Sequence, residues 1–111
     1  MGKYAEKFNH YAEKKKAAKL VAHLKDRDKE TRFDAIRALG RCGGEDAVNH
    51  LTTMLITPDA DERAEVVRAL GNCGTSATFS HLRYYIDRES DPTVRAAMQE
   101  ALGKLHSTDQ N

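Results

Sequence analysis

Several features that mark whole classes of protein are scarce or missing in this sequence. Its 111 residues include no tryptophan, two prolines and two cysteines, and 6% of them are aromatic. Two cysteines are too few for a disulfide-stabilised scaffold, and seven glycines are too few for a collagen-like chain. No apolar run approaches the roughly 18 residues that a membrane-spanning helix requires. We therefore expect neither a disulfide-rich, nor a fibrous, nor a membrane-spanning protein.

The first residues also lack the signals that direct a protein out of the cell or onto a membrane. Residues 1–16 contain no apolar run of the length found in signal peptides. Glu6 stands where an N-myristoylation pattern requires Ser or Thr. Two cysteines without a secretion signal indicate reduced thiols. We therefore expect a cytoplasmic protein that has no membrane partner.

The residues that are abundant favour helices. Charged residues make up 32% and apolar residues 40% of the chain, which is more apolar than a disordered protein. Ala, Leu, Arg, Glu and Lys dominate, and all five are good helix formers. Since a chain of this length usually forms one domain, we expect residues 1–111 to form a single all-α domain.

One motif recurs three times in phase. An Asp is followed four residues later by an Arg and then by Ala-Leu-Gly, beginning at Asp28, Asp59 and Asp91. The first two copies are 31 residues apart, and the last two are 32 residues apart. Pairs of leucine or isoleucine spaced i, i+4 precede each copy, at positions 20 and 24, 51 and 55, and 82 and 86. Because this spacing lines one face of a helix, each repeat is predicted to be a hairpin of helix A, a turn and helix B.

Capping residues predict where the helices begin and end. The three motif aspartates are good N-caps, and Pro92 suits the first helical position. Gly43 and Gly74 are predicted to end two B helices in the left-handed conformation. The glycine of each Ala-Leu-Gly lies in the last turn of a B helix, where the missing side chain lets a neighbouring helix approach closely. The predicted helices span residues 3–13, 15–25, 29–41, 45–56, 60–72, 76–87 and 92–105.

With this motif, the chain resembles the HEAT-like repeat family, in the short bacterial form that is related to phycobilin-lyase repeats. The resemblance covers residues 15–105. It implies a short right-handed α–α superhelix, or solenoid, of three helical hairpins at about residues 15–43, 44–74 and 75–105. An N-terminal capping helix at 1–14 and a polar tail at 106–111 complete the expected chain.

The resemblance also implies a ladder of hydrogen bonds between stacked repeats. The residues expected in this structural ladder are Asp28, Arg32, Asp59, Arg63, Asp91 and Arg95. Thr31 and Glu62 stand where the third repeat has the more usual Val94, so we expect looser packing between repeats at those two positions.

Both ends of the predicted solenoid carry candidate covers. Tyr4, Phe8 and Tyr11 form a narrow apolar stripe on the first helix. At the other end, Gln99 replaces an apolar residue of the earlier repeats, so we expect the solenoid to be complete at three repeats. Residues 1–29 contain nine basic and four acidic side chains, whereas residues 30–111 contain nine and thirteen. This asymmetry could steer an anionic partner to the basic end or promote weak self-association of an otherwise monomeric protein.

No group of residues predicts a catalytic, cofactor-binding or metal site. Cys42 and Cys73 occupy equivalent positions, and Leu105 fills the same position in the third repeat, which indicates a buried apolar slot. The five histidines lack the His-Glu pairs of iron-binding hydroxylases built from similar repeats, so we expect solvated helix histidines. The serines lie in turns, helix starts or the tail, outside any nucleophile motif. We therefore predict a protein that is not an enzyme and that uses no cofactor.

In such solenoids the B helices line the inner surface, and their polar side chains form the predicted partner-binding site. Its residues are Glu30, Phe33, Asp34, Arg37, Arg41, Asp61, Glu65, Arg68, Asn72, Glu100 and Lys104. Phe33 corresponds to alanines in the other two repeats. It is either an exposed aromatic anchor for a partner or a residue that fills space beneath the N-terminal helix.

Three functions fit these observations. The leading hypothesis is a non-catalytic scaffold that binds another protein on the inner face of the solenoid. The first alternative is an accessory subunit of a phycobilin-lyase-like or other modifying enzyme. The second is a nucleic-acid-binding helical-repeat protein, which is not favoured because the chain has no tryptophan and no continuous basic groove.

Overall fold

The computed structural model describes the backbone of residues 2–109 and the side chains of residues 2–106. Seven α-helices and one short 3₁₀ helix follow one another in this part of the chain, with no strand among them. They are α1 (Ala5–Glu13), α2 (Ala17–Val21), α3 (Lys29–Cys42), α4 (Gly44–Thr53), the 3₁₀ helix (Met54–Ile56), α5 (Ala60–Cys73), α6 (Ser76–Ile86) and α7 (Pro92–Asp109). The predicted all-α fold is confirmed.

The second and the last helix differ from their predicted boundaries. α2 ends at Val21, well before residue 25, because the next amides donate to carbonyls three residues back, His23 to Leu20 and Leu24 to Val21. This is the tighter 3₁₀ pattern, which does not continue an α-helix. α7 extends to Asp109, beyond the predicted end at residue 105, and so includes most of the predicted polar tail. The last two residues of that tail lie outside the described residues.

The helices form two layers. α1, α3, α5 and α7 pack side by side in one layer, and α2, α4 and α6 lie against them in the other. Neighbours in the first layer contact each other extensively, whereas contacts within the second layer are sparse. Because a stack bends towards its more closely packed side, we call the first layer the inner layer and the second the outer layer. The N-terminal helix α1 covers the end of the stack as a member of the inner layer.

The hydrophobic core fills the space between the two layers. The A-helix leucines Leu20, Leu51 and Leu82 are completely buried, as the i, i+4 pattern predicts. Leu39 and Leu70 of the inner layer belong to the same buried cluster. Burying one such side chain contributes about 1.5–3 kcal/mol, so this repeated pattern is a main source of stability.

Two of the three motif glycines allow close contact between B helices. A Cβ atom on Gly40 would lie 3.0 Å from the Cα of Ala69, and one on Gly71 would lie 3.1 Å from the Cβ of Ala101. A Cβ on Gly103 would meet no atom within 4 Å. The predicted close approach is therefore present at the first two glycines and absent at the third, because no described helix packs beyond α7.

The two glycines after the B helices differ in conformation. Gly43 has a φ of +67°, which favours glycine, whereas Gly74 has a φ of −72° and an extended backbone. The prediction of a left-handed residue is therefore wrong at Gly74. The backbone N–H of Gly74 still donates to the Leu70 carbonyl at 2.7 Å, so the last turn of α5 is closed without a positive φ.

The three motif aspartates cap their own helices. Asp28 accepts hydrogen bonds from the backbone N–H and the hydroxyl of Thr31, at 3.2 and 2.6 Å. The hydroxyl bond is the main reason why the pKa of Asp28 lies below its usual value. Asp59 and Asp91 each accept an N–H from the first turn of their helix at 2.9 Å. Within the described residues, none of the three forms an ion pair with a motif arginine.

The motif arginines instead reach glutamates of the next repeat. Arg32 Nε donates to Glu62 at 2.9 Å, and Arg63 donates two hydrogen bonds to Glu89 at 2.9 and 3.0 Å. Both arginines also donate from Nη1 to backbone carbonyls just before their own helix. Arg95 donates only to such carbonyls, and no carboxylate of the described chain reaches it. The expected ladder of Asp and Arg is thus corrected to a ladder of Arg and Glu.

Thr31 and Glu62 do not loosen the contact between repeats. Both side chains are buried, with 1% and 8% of their surface exposed, like Val94 at the equivalent position. Thr31 donates its hydroxyl to Asp28, while Glu62 accepts hydrogen bonds from Arg32 and from the hydroxyl of Thr57. Since every buried polar group here has a partner, the expectation of looser packing was wrong.

Candidate partner-binding surface

The predicted partner-binding residues lie on the solvent-facing side of the inner layer, and we call this set of eleven side chains the inner strip. Leu39 and Leu70 turn the apolar sides of α3 and α5 towards the core, which leaves the polar sides facing outwards. The exposed members are Glu30, Arg37, Arg41, Asp61, Arg68, Asn72, Glu100 and Lys104, and the half-buried members are Phe33, Asp34 and Glu65.

Ion pairs organise the centre of the inner strip. Arg37 of α3 donates two hydrogen bonds to Glu65 of α5, at 3.1 and 2.9 Å, and a third to Asp34 at 3.1 Å. Arg68 lies 3.5 Å from the same Glu65 carboxylate. The hydrogen bonds that Arg37 donates to Glu65 are the main reason why the pKa of Arg37 lies above its usual value. Acidic and basic groups therefore alternate across α3 and α5 in defined positions.

Polar side chains also bridge the flanking helices. Arg41 of α3 donates to the amide oxygen of Asn9 on α1 at 2.6 Å, and Lys104 of α7 donates to that of Asn72 on α5 at 3.2 Å. Each pair of neighbouring inner helices is thus joined at the surface by at least one polar contact. These contacts join the surface of the inner layer from α1 to α7, and sequence reasoning missed the contact with α1 because it treated that helix as a cap alone.

Phe33 takes a position that neither sequence interpretation described. It is half-buried, and its ring lies between two cations, with Lys29 Nζ 5.4 Å and the Arg37 guanidinium 5.9 Å from the ring centre. Lys29 reaches Asp61 and Arg37 reaches Glu65, both on α5, which places Phe33 on the side of α3 that faces α5. The ring thus supports the cations of the strip through cation–π contacts.

The cysteines share a slot but differ in burial. Cys42 is buried, Leu105 is buried at the equivalent position, and Cys73 is half-buried. Burial, with a smaller contribution from the neighbouring Cys42, raises the pKa of the Cys73 thiol to about 11. Both thiols are free. At neutral pH the Cys73 thiol is therefore protonated and weakly nucleophilic.

Three of the five histidines, His23, His50 and His81, belong to the outer layer or to the turn that follows α2. His50 and His81 are exposed on the outer layer, whereas His23 is half-buried against Phe8 and Tyr4, with ring centres 4.8 and 5.1 Å apart. The expectation of a solvated residue is therefore wrong for His23, because α1 folds over it. In the part of the chain that the structure describes, no three His, Cys, Asp or Glu side chains cluster as metal ligands would.

An apolar surface that sequence reasoning missed lies on the outer layer. A cleft of about 720 Å³ separates α2 from α4 and the 3₁₀ helix. Ile56 on its rim is 72% exposed, and Tyr84, beyond a smaller neighbouring cleft, is 55% exposed. The sequence does contain a sign of this surface, because Val21 and Met54 are apolar although they lie beside the i, i+4 stripe that the core requires.

One comparison with known proteins matches the part of the stack from α1 into α5. The family model described as HEAT repeats matches residues 5–71, which is more than half of the chain and includes α1. Comparisons with curated proteins and with solved structures gave no match. Among the described helices, none is both long and apolar enough to cross a membrane.

Proposed function

Because this chain belongs to the HEAT-repeat family, we propose that it is a non-catalytic scaffold that binds a protein partner on its inner strip. HEAT repeats generally mediate contacts between proteins. The stacked helices present a broad surface whose side chains are held by the repeat contacts, which is the arrangement that helical-repeat proteins use for binding. The inner strip is the surface on which those side chains form a continuous row.

The observation that carries the proposal is the way in which Arg37 and Arg68 are presented. Both guanidinium groups contact Glu65, whose side chain is 14% exposed, yet they are themselves 46% and 51% exposed. Binding of a partner would therefore cost little further side-chain ordering, because the contacts with Glu65 already hold the two guanidinium groups in place. Arginine is among the residues that contribute most to protein interfaces.

The charge pattern of the strip favours a protein over a nucleic acid. Asp34 and Glu65 lie between and beside the two arginines, and Glu30 and Asp61 add further negative charge. A phosphate backbone would be repelled by these carboxylates, since its binding requires an uninterrupted row of cations. A protein surface that carries both signs of charge can complement the strip.

The test compares two double variants that each remove two positive charges. Arg37→Ala with Arg68→Ala changes the inner strip, and Lys14→Ala with Arg83→Ala changes exposed cations elsewhere. Proteins retained by the immobilised wild type and by the control, but lost by the strip variant, are candidate partners. Isothermal titration calorimetry with such a partner should show binding weakened at least about 30-fold by the strip variant, or about 2 kcal/mol.

Circular dichroism checks that both double variants fold. If the two variants retain the same proteins with the same affinities, the inner strip is not the binding surface.

A further inference from the structure

The cleft on the outer layer, which we call the outer cleft, differs chemically from the inner strip. It lies between α2 on one side and α4 with the 3₁₀ helix on the other. Its apolar walls are Val21, Ala22, Leu24, Met54 and Ile56, and its polar lining is Lys25, His50, Thr53, Thr57 and Glu62. Its volume of about 720 Å³ accommodates a few side chains rather than a whole helix.

Ile56 distinguishes this cleft from other apolar surface of the chain. Its side chain is 72% exposed at the rim, although a large aliphatic residue in a small domain usually contributes to the core. Tyr84 is the other large exposed apolar residue of the described chain, but its ring is partly covered, because the Arg88 guanidinium stacks on it at 3.7 Å. An uncovered apolar rim above a cleft is typical of a surface that binds another molecule.

The accessible charge around the outer cleft is positive. Lys25 is exposed, and within the described residues it forms no ion pair. Glu62 is the one carboxylate that lines the cleft, but it is 8% exposed and already accepts hydrogen bonds from Arg32 and Thr57. Lys25 and Glu62 are thus the two side chains of the lining that are charged at neutral pH, and Lys25 is the accessible one. A ligand entering the cleft therefore meets apolar walls and an unpaired cation.

We propose that the outer cleft binds an acidic amphipathic segment of a partner protein. Two or three apolar side chains of the segment enter between Val21, Leu24 and Ile56, while its carboxylates pair with Lys25. The apolar burial supplies most of the affinity, and the charge selects acidic segments over basic ones. This surface is on the opposite layer from the inner strip, so it would act as a second, independent site of the scaffold.

Fluorescence anisotropy with labelled synthetic peptides tests the proposal. The probe is an amphipathic peptide of about 12 residues, with Leu at i, i+3, i+4 and i+7 and Glu at the other positions. Its counterpart carries Lys in place of every Glu. We expect the acidic peptide to bind at least about tenfold more tightly than the basic peptide.

Matched variants assign the binding to the outer cleft. Ile56→Ser and Lys25→Glu should each weaken binding of the acidic peptide by about tenfold or more. Neither change threatens the fold, because both side chains are exposed. Tyr84→Ser, which alters the other exposed apolar residue, and the double change of Arg37 and Arg68 to Ala should leave the affinity within about twofold.

Four results would overturn the proposal. The first is that the acidic peptide does not bind at concentrations up to about 1 mM, and the second is that the basic peptide binds with the same affinity as the acidic one. The third is that the Ile56→Ser protein binds the acidic peptide as tightly as the wild type. The fourth is that the double variant of Arg37 and Arg68 no longer binds the acidic peptide. The last result would move the peptide to the inner strip and would leave the proposed function standing. Loss of partner binding in that same variant, with peptide binding unchanged, would support both surfaces.

Discussion

A single added methyl group should change the free energy of unfolding differently at two glycines that occupy equivalent positions. At Gly40 a new Cβ would lie 3.0 Å from both the Cα and the Cβ of Ala69, and 3.2 Å from its carbonyl oxygen. At Gly103 the same atom would meet nothing within 4 Å. Both residues are in helices, so Gly→Ala improves the helix propensity at each position by about the same amount, roughly 1 kcal/mol.

The difference in the free energy of unfolding between the two variants therefore measures the effect of the packing of α3 against α5. Two of the three atoms around Gly40 belong to the Ala69 backbone, so they cannot turn away and α5 itself must shift. Overpacking of this kind costs about 1–3 kcal/mol. We expect Gly103→Ala to be more stable than the wild type by up to about 1 kcal/mol, and Gly40→Ala to be about 1–3 kcal/mol less stable than Gly103→Ala.

Urea unfolding followed by circular dichroism measures the free energy of unfolding of each variant. If this free energy falls with urea concentration at the same slope in both variants, the two proteins expose similar surface on unfolding and can be compared directly. In thermal melts, Gly40→Ala should unfold at least about 4 °C below Gly103→Ala. Combining Gly40→Ala with Ala69→Gly, which removes one of the contacting atoms, should recover part of the packing loss. If Gly40→Ala proves as stable as Gly103→Ala, the close approach of the B helices does not contribute to stability as argued.

Two further predictions concern the ladder and the thiols. Arg63→Ala should lower the free energy of unfolding by about 1–3 kcal/mol in urea denaturation, because it leaves Glu89, whose side chain is 7% exposed, without its guanidinium partner. Burial alone would raise the pKa of Glu89, but the bonds from Arg63 and the Asp91 N–H hold it below the usual 4.5. The stability that the Arg63–Glu89 pair contributes is therefore complete above pH 4.5 and is lost as the pH falls below that value. An Arg63→Ala variant that loses as much stability in acid as the wild type would contradict this role of the pair. Cys42 and Cys73 should react slowly with a bulky thiol reagent in the native protein, since one is buried and the pKa of the other is about 11, and rapidly in urea. Fast labelling without denaturant would show that the slot is open.

Much of the fold could be read from the sequence because it depends on neighbours along the chain. The first leucine of each A-helix pair, Leu20, Leu51 and Leu82, is completely buried, and local periodicity predicted that burial. The aspartates at 28, 59 and 91 cap the first turn of their own helices, again a local interaction. The inner strip was also predicted as one face of the B helices, because side chains three and four residues apart share a side. Its role in binding stays a prediction.

The parts that could not be predicted depend on distances between repeats. The partners of Arg32 and Arg63 proved to be the glutamates Glu62 and Glu89, because the spacing of the helices brings those carboxylates within reach. His23 is covered because α1 folds back on it, which no local pattern indicates. The outer cleft exists because α2 and α4 pack less closely than the B helices beside them.

By itself, then, the sequence determined the order of the main helices, the aspartate N-caps of the B helices and most apolar residues of the core, since helical periodicity and N-capping are decided within a few residues of chain. Only the tertiary structure decided which of the motif glycines are in close contact, which carboxylates pair with Arg32 and Arg63, and which apolar side chains stay in solvent. These outcomes depend on how two helices from different repeats approach each other. Gly40 and Gly103 carry the same motif and the same local signal, and only the presence of α5 beside one of them separates their roles.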